Sequence, residues 1–348
     1  MCASNPSVSI CIPIYNGEAH LRPCLDSVLA QTAGDVEILA VDDGSSDGSV
    51  ALLNEYARQD SRLQVVRNDA NLGLVGNWGR CIGLARGRWI KFVFQDDVIQ
   101  PDAVTLLLDA ATAAGKPLAF GRRDFIFEAG VSEDTRRWYE RGAEAVRDIF
   151  PVGGAVAAEA FCRLVLERPS QNFIGEPVAV LFERSLLERI GPFNAHLAVF
   201  CDMEFWMRAG VNHGAAHCAE RVASFRVHDA STTARSVKAR RYRMDVLDHV
   251  VVAHEFAFHP AFAALREQAR QQGVDLRRRF GDMARWAYGL AGAKAQDELS
   301  LATLGEWQAV ARAYPRIRAV GLGEQLAGKR RSVVRRAGAL ARSLQRQR

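Results

Sequence analysis

Two pairs of adjacent aspartates, Asp42/Asp43 and Asp96/Asp97, have the residue type and setting best suited to chemistry in this 348-residue chain. Each pair closes an apolar run of the kind that forms a buried strand. Residues 36–41 (VEILAV) precede the first, and Ile90, Phe92, Val93 and Phe94 precede the second. In an open α/β sheet, ligands bind beyond the carboxyl ends of the strands, so both pairs are expected at one rim. Two carboxylates crowded there repel each other unless a cation sits between them and a ligand. Hard oxygen donors of this kind suit Mg2+ or Mn2+ shared with a substrate phosphate. Taken alone, Asp96/Asp97 ahead of Pro101 reads more readily as a helix cap. Two pairs at one edge, the first followed by Gly44-Ser45-Ser46, point to a charged or hydroxylated ligand instead.

The elements that must carry these acids alternate. Residues 8–14 (VSICIPI) read as a first strand, ending at Pro13 and the turn Tyr15-Asn16-Gly17. A helix follows over 18–31, with Leu21, Leu25, Val28 and Leu29 on one face. The second strand leads through the first acidic pair to a helix capped by Ser46 or Asp47 and running to Gln59. A third strand over 63–67, a Gly/Asn-rich loop over 68–76 and a helix over 77–85 bring the chain to Trp89 and the fourth strand. A helix over 101–114 and a short strand over 118–120 come next. This β-α-β-α-β-α-β order predicts an α/β fold, a Rossmann-like, mostly parallel sheet flanked by helices. No G-x-G-x-x-G follows the first strand and no G-x-x-x-x-G-K-[ST] occurs, which disfavours dinucleotide oxidoreductases and P-loop enzymes. A nucleotide held through metal and carboxylates stays open.

Composition sets the outer limits. With 49% hydrophobic and 24% charged residues, the chain has the make-up of a soluble globular protein of about two domains. Its 7 cysteines are scattered with no C-x-x-C pair, which argues against a zinc site or disulfide framework and fits a reducing cytoplasm. No run approaches the ~18 apolar residues of a spanning helix, and no secretory leader is legible at the N-terminus.

Three stretches together resemble a known family. VSICIPIYNGEAHLRPCLDSVLAQT, VEILAVDDGSSDGS and NLGLVGNWGRCIGLARGRWIKFVFQDD are similar, in content and order, to the family 2 inverting glycosyltransferases of GT-A fold. The resemblance covers residues 7–233 and implies roles by position. Pro13, Tyr15 and Asn16 match the turn in which the aromatic residue lies against the nucleotide base. Asp42 and Asp43 match a pair of which one accepts a hydrogen bond from the base. Gln95 and Asp96 match the segment around the donor nucleotide, with Asp96 and Asp97 as ligands of the divalent cation, Mn2+ or Mg2+, bridging its diphosphate. Where many relatives read Asp-Ser-Asp-Asp, this chain has Phe94-Gln95-Asp96-Asp97, so the outer acid is gone. The run IGPFNAHLAVFCDMEFWMRAG matches the segment carrying the catalytic aspartate, here Asp202, with Cys201 where Glu is usual.

Asp202 also reads sensibly without the family. It opens an apolar helix containing Met203, Phe205, Trp206 and Met207, and hydrophobic backing raises a carboxylate toward the range useful for proton abstraction. Its structural alternative is a helix cap. Glu176 and Trp206 are expected to face the acceptor. In the closing segment SFRVHDASTT, His228 is expected as a metal ligand and Arg226 on the diphosphate; a loop histidine bonded to backbone is the alternative. The other histidines, His20 among them, are taken as structural.

The implied domains are a GT-A domain over 1–233, with a nucleotide-binding half to about 120, and a basic helical region over 234–348. Helices are expected over 245–258, 261–272, 277–290, 299–314 and 328–346. The last carries Val333, Ala337, Leu340, Ala341 and Leu344 on one face, in a tail with eight basic residues and no acid from Lys329 to Arg348. Such a helix suits peripheral contact with an anionic bilayer, and equally a solvated packing on its own domain. The expected partners are a nucleotide-sugar donor, most often UDP-linked in the family, and a glycan or lipid-linked glycan acceptor. A surface polysaccharide or lipopolysaccharide role in the cytoplasm, at the inner membrane face, would fit. Nucleic acid is not expected, because the basic residues lack interleaved aromatics. Two other classes compete: a non-catalytic glycan- or partner-binding member of the fold, and a nucleotidyltransferase, which would need a basic Gly-rich loop where Tyr15-Asn16-Gly17-Glu18 stands.

Overall fold

A computed structural model of the chain describes residues 6–147, 149–150, 153–228, 243–292 and 298–323. The expected basic helix over 328–346 lies outside the described residues. The chain divides into two compact units, the first of Met1–Ser236 with Pro260–Gln268 and the second of Val237–His259 with Ala269–Arg348.

The first unit is built on a nine-stranded sheet of order β3-β2-β1-β4-β8-β6-β9-β5, with β7 on β9. Strands β1 (Val8–Ile14), β2 (Val36–Asp42), β3 (Leu63–Arg67) and β4 (Trp89–Phe92) run parallel, joined by α1 (Glu18–Leu29), α2 (Ser49–Ala57) and α3 (Leu74–Leu84). Every residue of β1, β2 and β4 is buried, as a sheet covered on both faces requires. The expected α/β fold is thus observed, with the parallel character concentrated in these four strands. Beyond β4 the sheet is mixed. β8 (Val180–Glu183) is antiparallel to β4 and to β6 (Leu118–Phe127), β6 is parallel to β9 (Ala215–Val227), and β5 (Val98–Ile99) and β7 (Gly154–Val156) are antiparallel to β9.

Local departures from the expected boundaries have physical reasons. Pro13 is inside β1, paired with Val41, and not in the turn. It lies past the last β1–β4 rung, Cys11↔Phe92, so its missing N–H costs no ladder bond there. α2 starts at Ser49 with Gly48 as its N-cap, and Asp47, one residue further out, accepts from Ser49 N at 3.0 Å and Ser49 Oγ at 2.6 Å. α3 starts at Leu74, three residues early, because Gly73 turns the chain at φ 75°. β6 extends far past Phe120. Arg122, Arg123 and Asp124 interrupt its apolar pattern, but Arg221 pairs with Asp124 and Arg123 with Glu176, so the charges are matched. β5, α5 (Glu133–Arg147) and α6 (Ala158–Glu167) had no clear sequence signal.

Behind the site, α7 (Leu186–Ile190) and α8 (Cys201–His213) are fastened by Arg208, which is ion-paired within α8 and bonds to carbonyls at the end of α7 and just past it. Glu204 and Arg208 are 1% and 3% exposed, and Arg208 donates to Glu204 Oε2 at 3.0 Å, Ile190 O at 2.6 Å and Pro192 O at 2.7 Å. The second unit is helical: α9 (Asp248–Phe258), α10 (Ala263–Gln271, shared with the first unit), α11 (Leu276–Gly292) and α12 (Glu298–Ala313). No helix among the described residues is long and apolar enough to cross a membrane.

Removing one partner of a buried pair leaves the other charge uncompensated. Arg208→Ala is therefore expected to cost about 3–5 kcal/mol, read as a lower urea midpoint at unchanged slope.

Candidate active site

Three loops meet beyond the carboxyl ends of β1, β2 and β4, and their side chains hold one another. After β1, Asn16 takes a left-handed backbone, φ 50°, which asparagine tolerates. Its Oδ1 accepts from Ser46 N at 2.8 Å, and its N–H donates to Ser45 Oγ at 2.9 Å. Gly48 N donates to Glu18 Oε2 at 2.8 Å, while Glu18 N donates to Asp47 Oδ2 at 3.1 Å. Tyr15, 46% exposed, leaves its ring open to a ligand. Its backbone is clamped by Gln95, which accepts from Tyr15 N at 2.8 Å and donates to Tyr15 O at 3.2 Å. Gln95 thus has both ends of its amide bonded to the Tyr15 backbone, in the turn expected to meet the nucleotide.

The first acidic pair splits by function. Asp43 is buried and accepts from Asn68 Nδ2 at 2.8 Å, Leu72 N at 2.8 Å and Gly73 N at 3.0 Å, shaping the loop ahead of α3. Asp42 is fully buried, and its Oδ2 accepts from Gly44 N and Ser45 N and meets Arg67 Nε at 3.4 Å. Its Oδ1 has no hydrogen-bond partner among the described residues. A buried bare carboxylate oxygen calls for a donor, and a base N–H would supply one.

The second pair splits as well. Asp97 is fully buried and accepts from Arg226 N at 2.9 Å through Oδ1, while Oδ2 is without a partner among the described residues. Burial, then the neighbouring Asp96 charge, pushes its carboxyl well above the usual range. Under it lies Lys91, fully buried, whose ammonium donates to the carbonyls of Val178 and Phe92; burial pulls it down to about 7, against the pull of Asp97. Asp96 keeps solvent access and sits 3.0 Å from His228 Nε2. Arg226 donates from Nε to Asp96 O at 2.8 Å, and its Nη1 lies 3.8 Å from Glu128 Oε1, so its guanidinium braces this corner.

Two residues missed in the sequence join the group. His20, in the first turn of α1, lies 3.3 Å from Glu128 through Nδ1, and its ring packs edge-on to that of His228 at 4.6 Å. Ligand atoms of His20, Glu128 and His228 all lie within 4.8 Å of one another. His20, read from the sequence as structural, stands in this group because three distant stretches converge, and no local spacing announces that. Imidazole nitrogens and carboxylate oxygens fit a divalent cation such as Mn2+. Asp97, inside the fold, is a worse candidate ligand than Asp96 and His228.

On the acceptor side, Asp202 is half-buried at the head of α8 and accepts from Met203 N at 2.7 Å. Burial pushes its carboxyl up to about 7; the Met203 hydrogen bond opposes this and the Glu176 charge adds to it. Glu176 is paired with Arg123, whose Nη2 donates to Glu176 Oε1 at 3.1 Å. The Glu176 charge also raises Asp97, so one charged pair lies within electrostatic reach of both the strand-end acids and Asp202. Trp206 does not face this cleft. It is 1% exposed and packs on Phe182, Phe193 and Phe205, so its expected acceptor contact gives way to a core role.

The family model described as Glycosyl transferase family 2 matches residues 9–188. An uncharacterized protein of Mycobacterium tuberculosis (strain CDC 1551 / Oshkosh) is 33% identical over 246 residues, covering 70% of this chain and 74% of that one. The PGL/p-HBAD biosynthesis glycosyltransferase of Mycobacterium bovis (strain BCG / Pasteur 1173P2) is 29% identical over 60% of this chain and 71% of its own. Among solved structures, S. aureus TarS in complex with UDP-GlcNAc superposes with TM-score 0.56 at 16% identity, covering 92% of each chain. The mannosyltransferase PcManGT from Pyrobaculum calidifontis, in complex with GDP-Man and Mn2+, gives 0.53 at 17% identity over 92% of this chain and 84% of that one. The fold is that of a GT-A glycosyltransferase. The chain belongs to glycosyl transferase family 2.

Asp43 satisfies three donors at once, and unmet buried donors are costly. Asp43→Ala is expected to lower stability by about 1–3 kcal/mol, visible as a reduced Tm without ligand.

Proposed function

We propose that the chain transfers a sugar from a nucleoside diphosphate sugar, UDP-linked by preference, to an acceptor hydroxyl with inversion at the anomeric carbon. The observation that carries this reading is Asp202: a carboxylate at a helix head, raised to about 7 by burial, beside the Glu176–Arg123 pair. A group titrating there can accept a proton near neutral pH, as a general base must. In the step, the acceptor oxygen bonds to the anomeric carbon and its proton passes to Asp202. The bond from that carbon to the diphosphate oxygen breaks on the opposite face, and its electron pair leaves with the nucleoside diphosphate. No covalent enzyme intermediate is required.

The chain's other residues prepare the donor. Asp42 Oδ1, buried and bare, accepts from the base N–H, and the exposed Tyr15 ring lies along the base. Asp96 and His228 would hold Mn2+ or Mg2+, which would supply Lewis-acid neutralisation of the leaving group's charge. The UDP preference is supported by the fold shared with TarS, which binds UDP-GlcNAc. A glycan or lipid-linked acceptor fits the M. bovis relative, a glycosyltransferase named for PGL/p-HBAD biosynthesis.

Asp202→Asn is expected to lower kcat by about 10²–10⁴-fold while the Kd for UDP, measured by calorimetry, stays within about twofold of wild type. Transfer at the wild-type rate would remove Asp202 from the mechanism. In wild type, the base works only when deprotonated, so kcat/KM should fall as pH drops below about 7. The acidic limb should vanish from the residual activity of the variant.

A further inference from the structure

We infer that the divalent cation is held by two imidazoles, His20 and His228, together with Glu128, with Asp96 bonded to His228 at the edge of the group, and that His20 tunes the site toward Mn2+ over Mg2+. This rests on the metal-assisted reading above and adds ligands and a selectivity to it.

The sheet itself builds the group. β6 and β9 are paired up to Phe127↔Val227, and Glu128 N donates to Val227 O at 3.2 Å. The next residue of each strand therefore leaves the sheet beside the other, which sets Glu128 against His228. β4 exits toward the same point and delivers Asp96, 3.0 Å from His228 Nε2. α1 brings His20 from a third direction, with its Nδ1 3.3 Å from Glu128. Its first turn is fixed by the Gly17 N–H donating to Ser49 Oγ at 2.9 Å and the Glu18–Gly48 bond.

Spacing supports ligation over a simple ion pair. Ligands about 2.0–2.2 Å from one ion lie no more than about 4.4 Å apart, and the His20, Glu128 and His228 atoms fall within 4.8 Å before any ion draws them in. An isolated His20–Glu128 pair would not need the second imidazole at the same place. The strand end also lacks a second exposed acid. Phe94 stacks on Trp78 at 5.2 Å, and Asp97 is buried with one oxygen bonded to Arg226 N. Two imidazole nitrogens thus stand beside the Glu128 carboxylate. Mg2+ is a hard ion that favours oxygen and retained water, so two imidazoles disfavour it relative to a transition ion such as Mn2+, which stands at the start of the affinity series for nitrogen and oxygen sites.

The test is Mn2+ binding to the full chain without substrate, followed by electron paramagnetic resonance, with pulsed detection of 14N nuclei bonded to the ion. Wild type is expected to show two imidazole couplings, and His20→Ala one, with Mn2+ affinity reduced about 10–100-fold. His20→Asp should recover affinity and raise the Mg2+ competition for the site at least tenfold relative to wild type. A folded His20→Ala with wild-type affinity and both couplings overturns the inference and leaves Asp96 and His228 as the cation site. Should His20→Ala fail to fold, a His20→Asp protein with the wild-type Mn2+/Mg2+ preference overturns it equally. Wild type that binds no Mn2+ would overturn the metal-assisted reading itself, and this inference with it.

Discussion

The carboxylate of Asp97, sunk completely into the protein, ties the exit of β4 to the last turn of β9 through the backbone N–H of Arg226. An acid without solvent is unfavourable unless something repays its desolvation. Here the N–H of Arg226 and the Lys91 ammonium below it share that role, each group being driven by burial toward its neutral form. Because β9 is held at this point, Arg226 can brace Asp96 from the other side, and His228 arrives one hydrogen bond from Asp96. The same Lys91 donates to the carbonyl of Val178, just past Glu176, so the acceptor side is referenced to the same buried charge. The two halves of the cleft are registered against one element, the central strand β4.

A second layer of constraint lies in the loops over β1 and β2. Their contacts are reciprocal: Asn16 to Ser46 and Ser45, Glu18 to Gly48, Asp47 back to Glu18 and Ser49. Such pairing gives the loops a shape before any nucleotide arrives and spares the ordering cost on binding. It also explains why Ser45, Ser46, Asp47, Gly48 and Ser49 come as one polar run: each has an assigned partner in the turn after β1 or within the run itself.

Much of the donor half was legible because its signals are local. Buried parallel strands read as unbroken apolar runs, and the acids stand where those runs stop, so β1 to β4 and both Asp pairs could be placed from the chain alone. Asp202 was legible for the same reason, as the polar head of an apolar helix. What escaped notice depends on pairing. β6 hides its length because Arg122, Arg123 and Asp124 look like a loop until Glu176 and Arg221 are seen opposite them. His20 and Glu128 meet only because three elements converge, and no window of sequence contains both. Trp206 is the reverse case: its motif position suggests a ligand surface, and the structure places the ring among Phe182, Phe193 and Phe205. Gln95 and Arg226 were placed at the right corner but hold backbone and carboxylates of the chain itself.

The side-by-side departure of β6 and β9 from the sheet has a consequence for α5. Glu128 is the last residue whose position the ladder dictates, through its bond to Val227 O. Past Glu128 the chain folds back as α5, with Trp138 outward and the Tyr139 ring against Phe125, Phe127 and Phe225. Arg136 lies over the Phe127 ring and donates to Glu128 O at 3.3 Å. The corner where the cation is proposed to sit therefore leans on one exposed helix as well as on the sheet, and an exchange at Arg136 or Tyr139 reaches it through a single neighbour.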